Sequence, residues 1–262
     1  MKFLRKVDYT GVGGVDVWDE HWQKQHINTR LNQVEKDPVT PIIRKWIEDT
    51  TVDKEHIKIL DGGCGAGRHL VYFGKLGYEI IGVDFSPVAV KSARDFDPNL
   101  KIFEASVLEL PFDSETFDYY LSLGVLEHFI DGPEQGLKEA HRILKKGGML
   151  FLSVPYMNRL RMLYKHLGNL RYKSHKKEAG VGGQFYQYYF TEDELSWLLT
   201  SHDFQVLRDY PLNQELGLLR AVPFVRNKRV LGYIAIKLAG AFRFIAPHFC
   251  AHKIMLVCKK VT

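Results

Sequence analysis

The chain has 262 residues, 45% of them hydrophobic, 13% aromatic and 26% charged, enough apolar content to bury one large core and to exclude a disordered or low-complexity protein. Its net charge of +5 is a modest excess that suits anionic partners but falls short of a nucleic-acid-binding signature, so no nucleic acid is favoured as a partner. Three cysteines, Cys64, Cys250 and Cys258, show no Cys-x-x-Cys spacing and leave one over, which fits a reducing compartment and argues against a zinc cage; no metal is expected.

The first residues carry Lys2, Arg5 and Lys6 without a following apolar run, so they lack the body of a secretory signal. The apolar stretch over 230–245 is interrupted by Lys237 and Arg243 and is too short and too charged to span a bilayer. A cytoplasmic protein is expected, made of one domain over 1–262.

An aromatic segment with Tyr9, Trp18 and Trp22 comes first, followed by a helix expected over 41–49. Ile57-Lys58-Ile59-Leu60 reads as a short strand ending at Asp61, and glycines follow at once. Leu70, Val71, Phe73 and Leu76 share one helical face, which Gly77 terminates. A second strand over 78–83 closes at Asp84, and Ser86-Pro87 caps a helix over 88–94. Strands are then expected over 101–105 and 117–123, a helix over 134–145, and a strand over 149–154 after a Gly147-Gly148 turn. Thr191 with Glu194 forms a capping box for another helix, and 205–208 and 253–258 read as two last strands. This alternation implies an α/β fold, a doubly wound, mostly parallel, seven-stranded Rossmann-like sheet that an antiparallel pair completes, with the last strand antiparallel. Residues 1–50 read as an N-terminal aromatic and helical cap segment, 51–155 as a ligand-binding core, and 155–190 and 212–250 as helical cap insertions over the substrate.

A sheet of this kind binds ligands beyond the carboxyl ends of its strands, where the strand order reverses. Asp61-Gly62-Gly63-Cys64-Gly65-Ala66-Gly67 lies there, and its glycines let the backbone turn sharply against a ligand. Arg68 stands where a dinucleotide fingerprint needs its third glycine, and Asp61 would repel a diphosphate but attract an ammonium group. Asp84, at the end of the second strand, is placed to accept hydrogen bonds from both hydroxyls of a ribose. Cys64 has no base beside it in sequence and reads as a small packed residue of this loop.

These residues resemble class I S-adenosylmethionine-dependent methyltransferases, with Asp61 to Gly67 matching their acidic glycine loop and Asp84 their ribose-binding acid. Leu110-Pro111-Phe112, Phe117-Asp118, Val125-Leu126-Glu127-His128, Glu139 to Lys145 and Gly147-Gly148 resemble successive blocks of the small-molecule branch, over Ile57 to Pro155. The resemblance implies S-adenosylmethionine as cofactor, with Gly63 and Gly65 facing it, Phe85 against the adenine and Leu123 offering its backbone to the methionine amine. One departure is Ser106, where the family often has an aspartate for the adenine amino group; Val107 follows it, with a backbone N–H expected at the ring.

Methyl transfer from a sulfonium needs alignment and exclusion of water rather than a covalent nucleophile. His128 is the candidate base for a hydroxyl acceptor, set against the plainer reading that it satisfies backbone groups at a helix start. No Asn-Pro-Pro-Tyr-like block follows the fourth strand, which disfavours amino-methylation of nucleobases. The basic, aromatic run with Arg161, Lys165, Arg171, Lys173 and Lys176 reads either as a solvated face or as a site for an anionic group. Leu231, Ile234, Leu238, Ala241, Phe242 and Ile245 form an apolar stripe that either closes the acceptor pocket or makes peripheral membrane contact through 228–246. The expected activity is methyl transfer to a small or lipid-linked metabolite, O-methylation foremost. The rivals are a nucleotide-binding oxidoreductase, which Arg68 opposes, and a non-catalytic binding protein, which Ser106 supports.

Overall fold

The computed structural model describes residues 6–8, 18–19, 22–23, 34–50, 56–166, 187–221, 237 and 240–261. In chain order these form β1 (Lys6–Asp8), α1 (Val39–Thr50), β2 (Lys58–Gly62), α2 (Arg68–Lys75), β3 (Glu79–Asp84), α3 (Pro87–Phe96) and β4 (Ile102–Glu104). After them come β5 (Phe117–Leu123), a 3₁₀ turn (Leu126–His128), α4 (Glu134–Ile143), β6 (Leu144–Pro155), α5 (Arg159–His166), β7 (Gln187–Tyr189), α6 (Glu192–Thr200), β8 (Phe204–Leu212), α7 (Gln214–Ala221) and β9 (Lys253–Lys260).

Seven strands form one sheet in the order β4-β3-β2-β5-β6-β9-β8. The first five of these are mutually parallel, and β9 runs antiparallel to both β6 and β8. The order reverses between β2 and β5, so the ends of those two strands flank an open crevice. The mixed sheet with an antiparallel last strand is the one expected from the sequence.

Both faces are covered, because successive residues of each central strand point to opposite sides. Leu60, Tyr120, Leu150 and Leu152 pack with Leu137, Ala140 and Ile143 of α4 and Leu195 and Leu198 of α6. Ile59, Leu121, Phe151 and Val257 pack on the other side with Ile43 and Ile47 of α1, Leu70 and Phe73 of α2, and Val90 and Ala93 of α3. Helix α1 thus packs in the layer that covers the sheet. Ser86 and Thr191 cap α3 and α6 by accepting hydrogen bonds from Ala89 N–H (3.1 Å) and Glu194 N–H (3.3 Å).

Several blocks shared with the methyltransferases are scaffold. Arg142 donates to the carbonyls of Phe112 (2.7 Å) and Leu110 (3.0 Å) and pairs with Glu139 Oε2, which also accepts from Leu110 N–H at 2.8 Å. Asp118 accepts from Lys58 N–H at 3.0 Å and from Lys145 Nζ at 2.9 Å, tying β2, β5 and β6 together.

Three boundaries differ from the sequence expectation. Helix α4 stops at Ile143, because Leu144 pairs with Phe117; the ladder resumes at Met149 opposite Tyr119, so 145–148 bulge out around Gly147 (φ 74°). The first insertion is fastened at its base: Met157 N–H donates to Phe190 O (2.8 Å), Phe190 N–H to Pro155 O (3.1 Å), and β7 pairs antiparallel with β1. The second begins with α7, which periodicity did not predict, and α7 crosses the chain so closely that Gly217 has no room for a Cβ beside the Cys250 carbonyl.

Tyr9, residues 167–186 and most of the expected apolar stripe, including Leu231, Ile234 and Leu238, lie outside the described residues. Within them, Phe242 stacks on Phe249 while Phe244 and Ile245 are largely exposed. No helix among the described residues is long and apolar enough to cross a membrane.

Candidate active site

The carboxyl ends of β2, β3, β4 and β5 open onto one cavity of about 1090 Å³. That is just above the roughly 300–1,000 Å³ usual for small-molecule sites and leaves room for a cofactor and a second molecule. Asp61, Gly63, Cys64, Asp84, Phe85, Ser106, Val107, Leu123 and His128 line it. Gly65 is absent from the wall because the ring of Trp22 lies on it; a methyl group at Gly65 would come within 2.2 Å of that ring.

The glycine bend is held by its own backbone. Gly63 N–H and Cys64 N–H both donate to Val83 O, at 2.8 and 3.0 Å, and Gly63, Gly65 and Gly67 all adopt positive φ, which disfavours side chains there. Arg68, at the position that weakens a dinucleotide reading, pairs with Asp37 at 2.8 Å and is also on the cavity wall. Cys64 is buried, and desolvation pushes its thiol well above the ordinary value, with the charges of Asp61 and Asp84 adding to the effect. Its protonated, inert form suits a packing role.

Asp61 is 2% exposed and its Oδ2 has no hydrogen-bond partner. The nearest candidate, His69 Nδ1, stands 3.5 Å away, too far for a well-formed hydrogen bond. A buried carboxylate oxygen without a donor is the complement of an ammonium group. Asp84 accepts from Gly65 N–H through Oδ2 (2.8 Å) and from Ser86 N–H through Oδ1 (3.0 Å). A carboxylate offers about four lone-pair sites, so two remain for a diol. Burial raises the Asp84 carboxyl above its usual range, the two N–H donors oppose that, and Asp61 and Asp19 reinforce it. In the loop after β4, Ser106 Oγ already accepts from Leu108 N–H (3.2 Å), and Gln135 Nε2 donates to Leu108 O (3.1 Å), which fixes this loop against α4. A buried acceptor without a donor at Asp61, spare acceptor sites on Asp84 and the Phe85 ring on the same wall form a set whose chemistry fits S-adenosylmethionine.

His128, also on the cavity wall, ends the 3₁₀ turn, where its backbone N–H donates to Val125 O (3.1 Å) and its ring meets the edge of Trp18 at 4.8 Å. Glu127 beside it is buried, with Oε1 3.9 Å from His128 Nε2; desolvation raises its carboxyl, while His128 and Lys253 pull the other way. Arg161, from the basic run, is buried rather than solvated: it donates to Tyr156 O, contacts His252 Nδ1 at 2.7 Å and lies over the Tyr189 ring. Sequence reasoning did not single out His69, Asp19 or Glu127. The four-residue spacing of Trp18 and Trp22 was the one available signal for the N-terminal contacts.

Residues 60–152 match the family described as a methyltransferase domain. A demethylmenaquinone methyltransferase of Chlorobaculum tepidum is 33% identical over 41% of this chain and 45% of its own. The human mitochondrial ubiquinone biosynthesis O-methyltransferase is 32% identical over 55% of this chain and 42% of its own. The chain therefore spans less than half the length of either relative. Among solved structures, a SAM-dependent methyltransferase of Methanosarcina mazei superposes with a TM-score of 0.57 at 19% identity, covering 84% of this chain and 97% of that one. Residues 60–152, the strand order and the acidic glycine bend are together similar to those of the class I S-adenosylmethionine-dependent methyltransferases.

Proposed function

We propose that the protein transfers a methyl group from S-adenosylmethionine to a hydroxyl of a small or lipid-linked metabolite. The observation that carries this is one cavity lined by a buried carboxylate oxygen without a hydrogen-bond donor at Asp61, by the Asp84 carboxylate with spare acceptor sites, and by the His128 imidazole. Bound cofactor supplies a methyl on a sulfonium, a leaving group already in place. Asp61 and Asp84 hold the two ends of the ligand, and the bend between them fixes the path of the sulfur. His128 takes the hydroxyl proton as the new bond forms, acting as the general base. The names of the relatives, which act in menaquinone and ubiquinone biosynthesis, support an acceptor with a long apolar tail. Phe129 and the 64% exposed Ile130, both on the cavity lining, support the same class.

Incubation of the protein with methyl-labelled cofactor and cell extract, followed by separation of aqueous and lipid fractions, tests this reading. Label in a small-molecule or lipid product is expected, and His128→Ala should lower its rate at least tenfold with cofactor affinity unchanged. No transfer from any extract would remove the activity; equal rates would remove His128. Phe244 and Ile245, 85% and 82% exposed beside Arg243, support peripheral contact with a membrane through 228–246. Failure to pellet with anionic vesicles would dismiss that contact.

A further inference from the structure

Described residues of the N-terminal segment meet the surroundings of the cavity at three points. Trp22 rests its six-membered ring on Gly65. Asp19 accepts a hydrogen bond from Ser86 Oγ, two residues beyond Asp84. Trp18 abuts His128 edge-on, the two rings inclined at 77°. Trp18 and Trp22 are four residues apart, the spacing that puts side chains on one side of a helical turn, and both line the cavity.

The covalent structure of S-adenosylmethionine decides what Trp22 faces. Its sulfur joins the amino-acid chain to the ribose, so a ligand with its ammonium at Asp61 and its diol at Asp84 carries the sulfur past Gly63 and Gly65. The ring on Gly65 borders that path. An indole face attracts a cation, most strongly where water is excluded. When the methyl leaves, the carbon–sulfur bond breaks, its electron pair stays on sulfur, and the positive charge is gone. The attraction then ends, although the ligand keeps nearly the same shape.

We propose that Trp22 is a specificity-determining residue that reads the charge on the cofactor sulfur, holding the sulfonium and letting the thioether product go. This rests on the methyltransferase reading above. Asp61, Asp84 and Asp19 also favour a cation, so the ring has to be isolated from them by substitution. Trp22→Phe keeps an aromatic face; Trp22→Leu and Trp22→Met keep apolar contact without one. Calorimetric titration of each variant with S-adenosylmethionine and S-adenosylhomocysteine, with thermal unfolding as a check on the fold, measures the dissociation constant of S-adenosylhomocysteine divided by that of S-adenosylmethionine. That ratio is expected to fall about fivefold to thirtyfold in the Leu and Met variants, the range for a desolvated cation–π contact, and to hold within about twofold in the Phe variant. Parallel losses for both ligands, with the ratio unchanged, would overturn the proposal and leave Trp22 a lid. Wild-type protein that binds neither ligand would overturn the methyltransferase reading and this inference with it.

Discussion

Replacement of Asp84 by asparagine keeps the shape of the side chain and removes its charge. In the wild type, Oδ2 accepts from Gly65 N–H at 2.8 Å and Oδ1 from Ser86 N–H at 3.0 Å. An asparagine can satisfy only one of those donors, because its amide nitrogen would face the other, and a buried polar group left unpaired costs about 1–3 kcal/mol. The substitution also relieves desolvation of a buried carboxylate and its repulsion by Asp61 and Asp19. These effects oppose one another, so the unliganded protein should unfold within a few degrees of the wild type. Binding has no such offset. The two lone-pair sites that would meet the ribose hydroxyls lose their charge, and each hydrogen bond to a charged group contributes about 1.5–3 kcal/mol. Loss of about 2–4 kcal/mol corresponds to a roughly thirtyfold to thousandfold weaker dissociation constant for S-adenosylmethionine. Titration calorimetry, paired with thermal unfolding with and without ligand, measures both quantities. An affinity within threefold of the wild type would refute the assignment of Asp84 to the ribose.

The pH dependence of cofactor binding follows from the same carboxyl. Its ionised form accepts from the diol and its folded pKa is raised, so affinity should be complete above that pKa and fall on acidification at a higher pH than for a solvated carboxylate, near about 4; Asp84→Asn should lack this part of the profile. Gly217→Ala should destabilise the fold, since its Cβ would stand 1.7 Å from the Cys250 carbonyl oxygen and the clash is between two backbones. Overpacking of about 1–3 kcal/mol corresponds to a loss of roughly 2–12 °C in melting temperature, and an unchanged melting curve would contradict the close crossing of α7. Ser106→Asp should tighten cofactor binding severalfold, because a carboxylate can keep the Leu108 N–H contact and still accept from the adenine amino group; unaltered or weaker binding in calorimetry would place the adenine elsewhere.

The parts of this molecule that could be read from sequence are those set by local physics. Residues 117–123 form a strand because Phe117, Tyr119 and Leu121 supply β-favouring and apolar side chains between polar turns, and the expected bounds match β5. The Ser86 and Thr191 caps were visible because a hydroxyl three residues before a free N–H is a local pattern. Leu144 was assigned to a helix because Ile143-Leu144 continues the apolar spacing of α4, and only its pairing with Phe117, 27 residues earlier in the chain, draws it into β6. Trp22 on Gly65 and Asp19 at Ser86 join segments far apart in sequence, and no periodicity encodes which loop a side chain will meet. Arg161 was one of five cations in a run; its burial against Tyr156, Tyr189 and His252 depends on how the insertion is fastened at Phe190.

The division between scaffold and chemistry explains why the family is legible while the acceptor has to be inferred. Arg142, Glu139, Leu110 and Phe112 form a hydrogen-bonded clamp on the loop after β4, and Asp118 ties three strands at the opposite, amino-terminal end of β5. Neither group lines the cavity, so neither selects an acceptor. Those residues can stay constant while the walls vary, which is how one sheet hosts many reactions. The cofactor end of the cavity comes from strand ends within 60–152, whereas Trp18 and Trp22, which close it, lie outside that match. Acceptor choice in this chain should therefore respond to changes at Phe129, Ile130 and the N-terminal tryptophans, and be indifferent to changes in the Arg142 clamp that leave the fold intact.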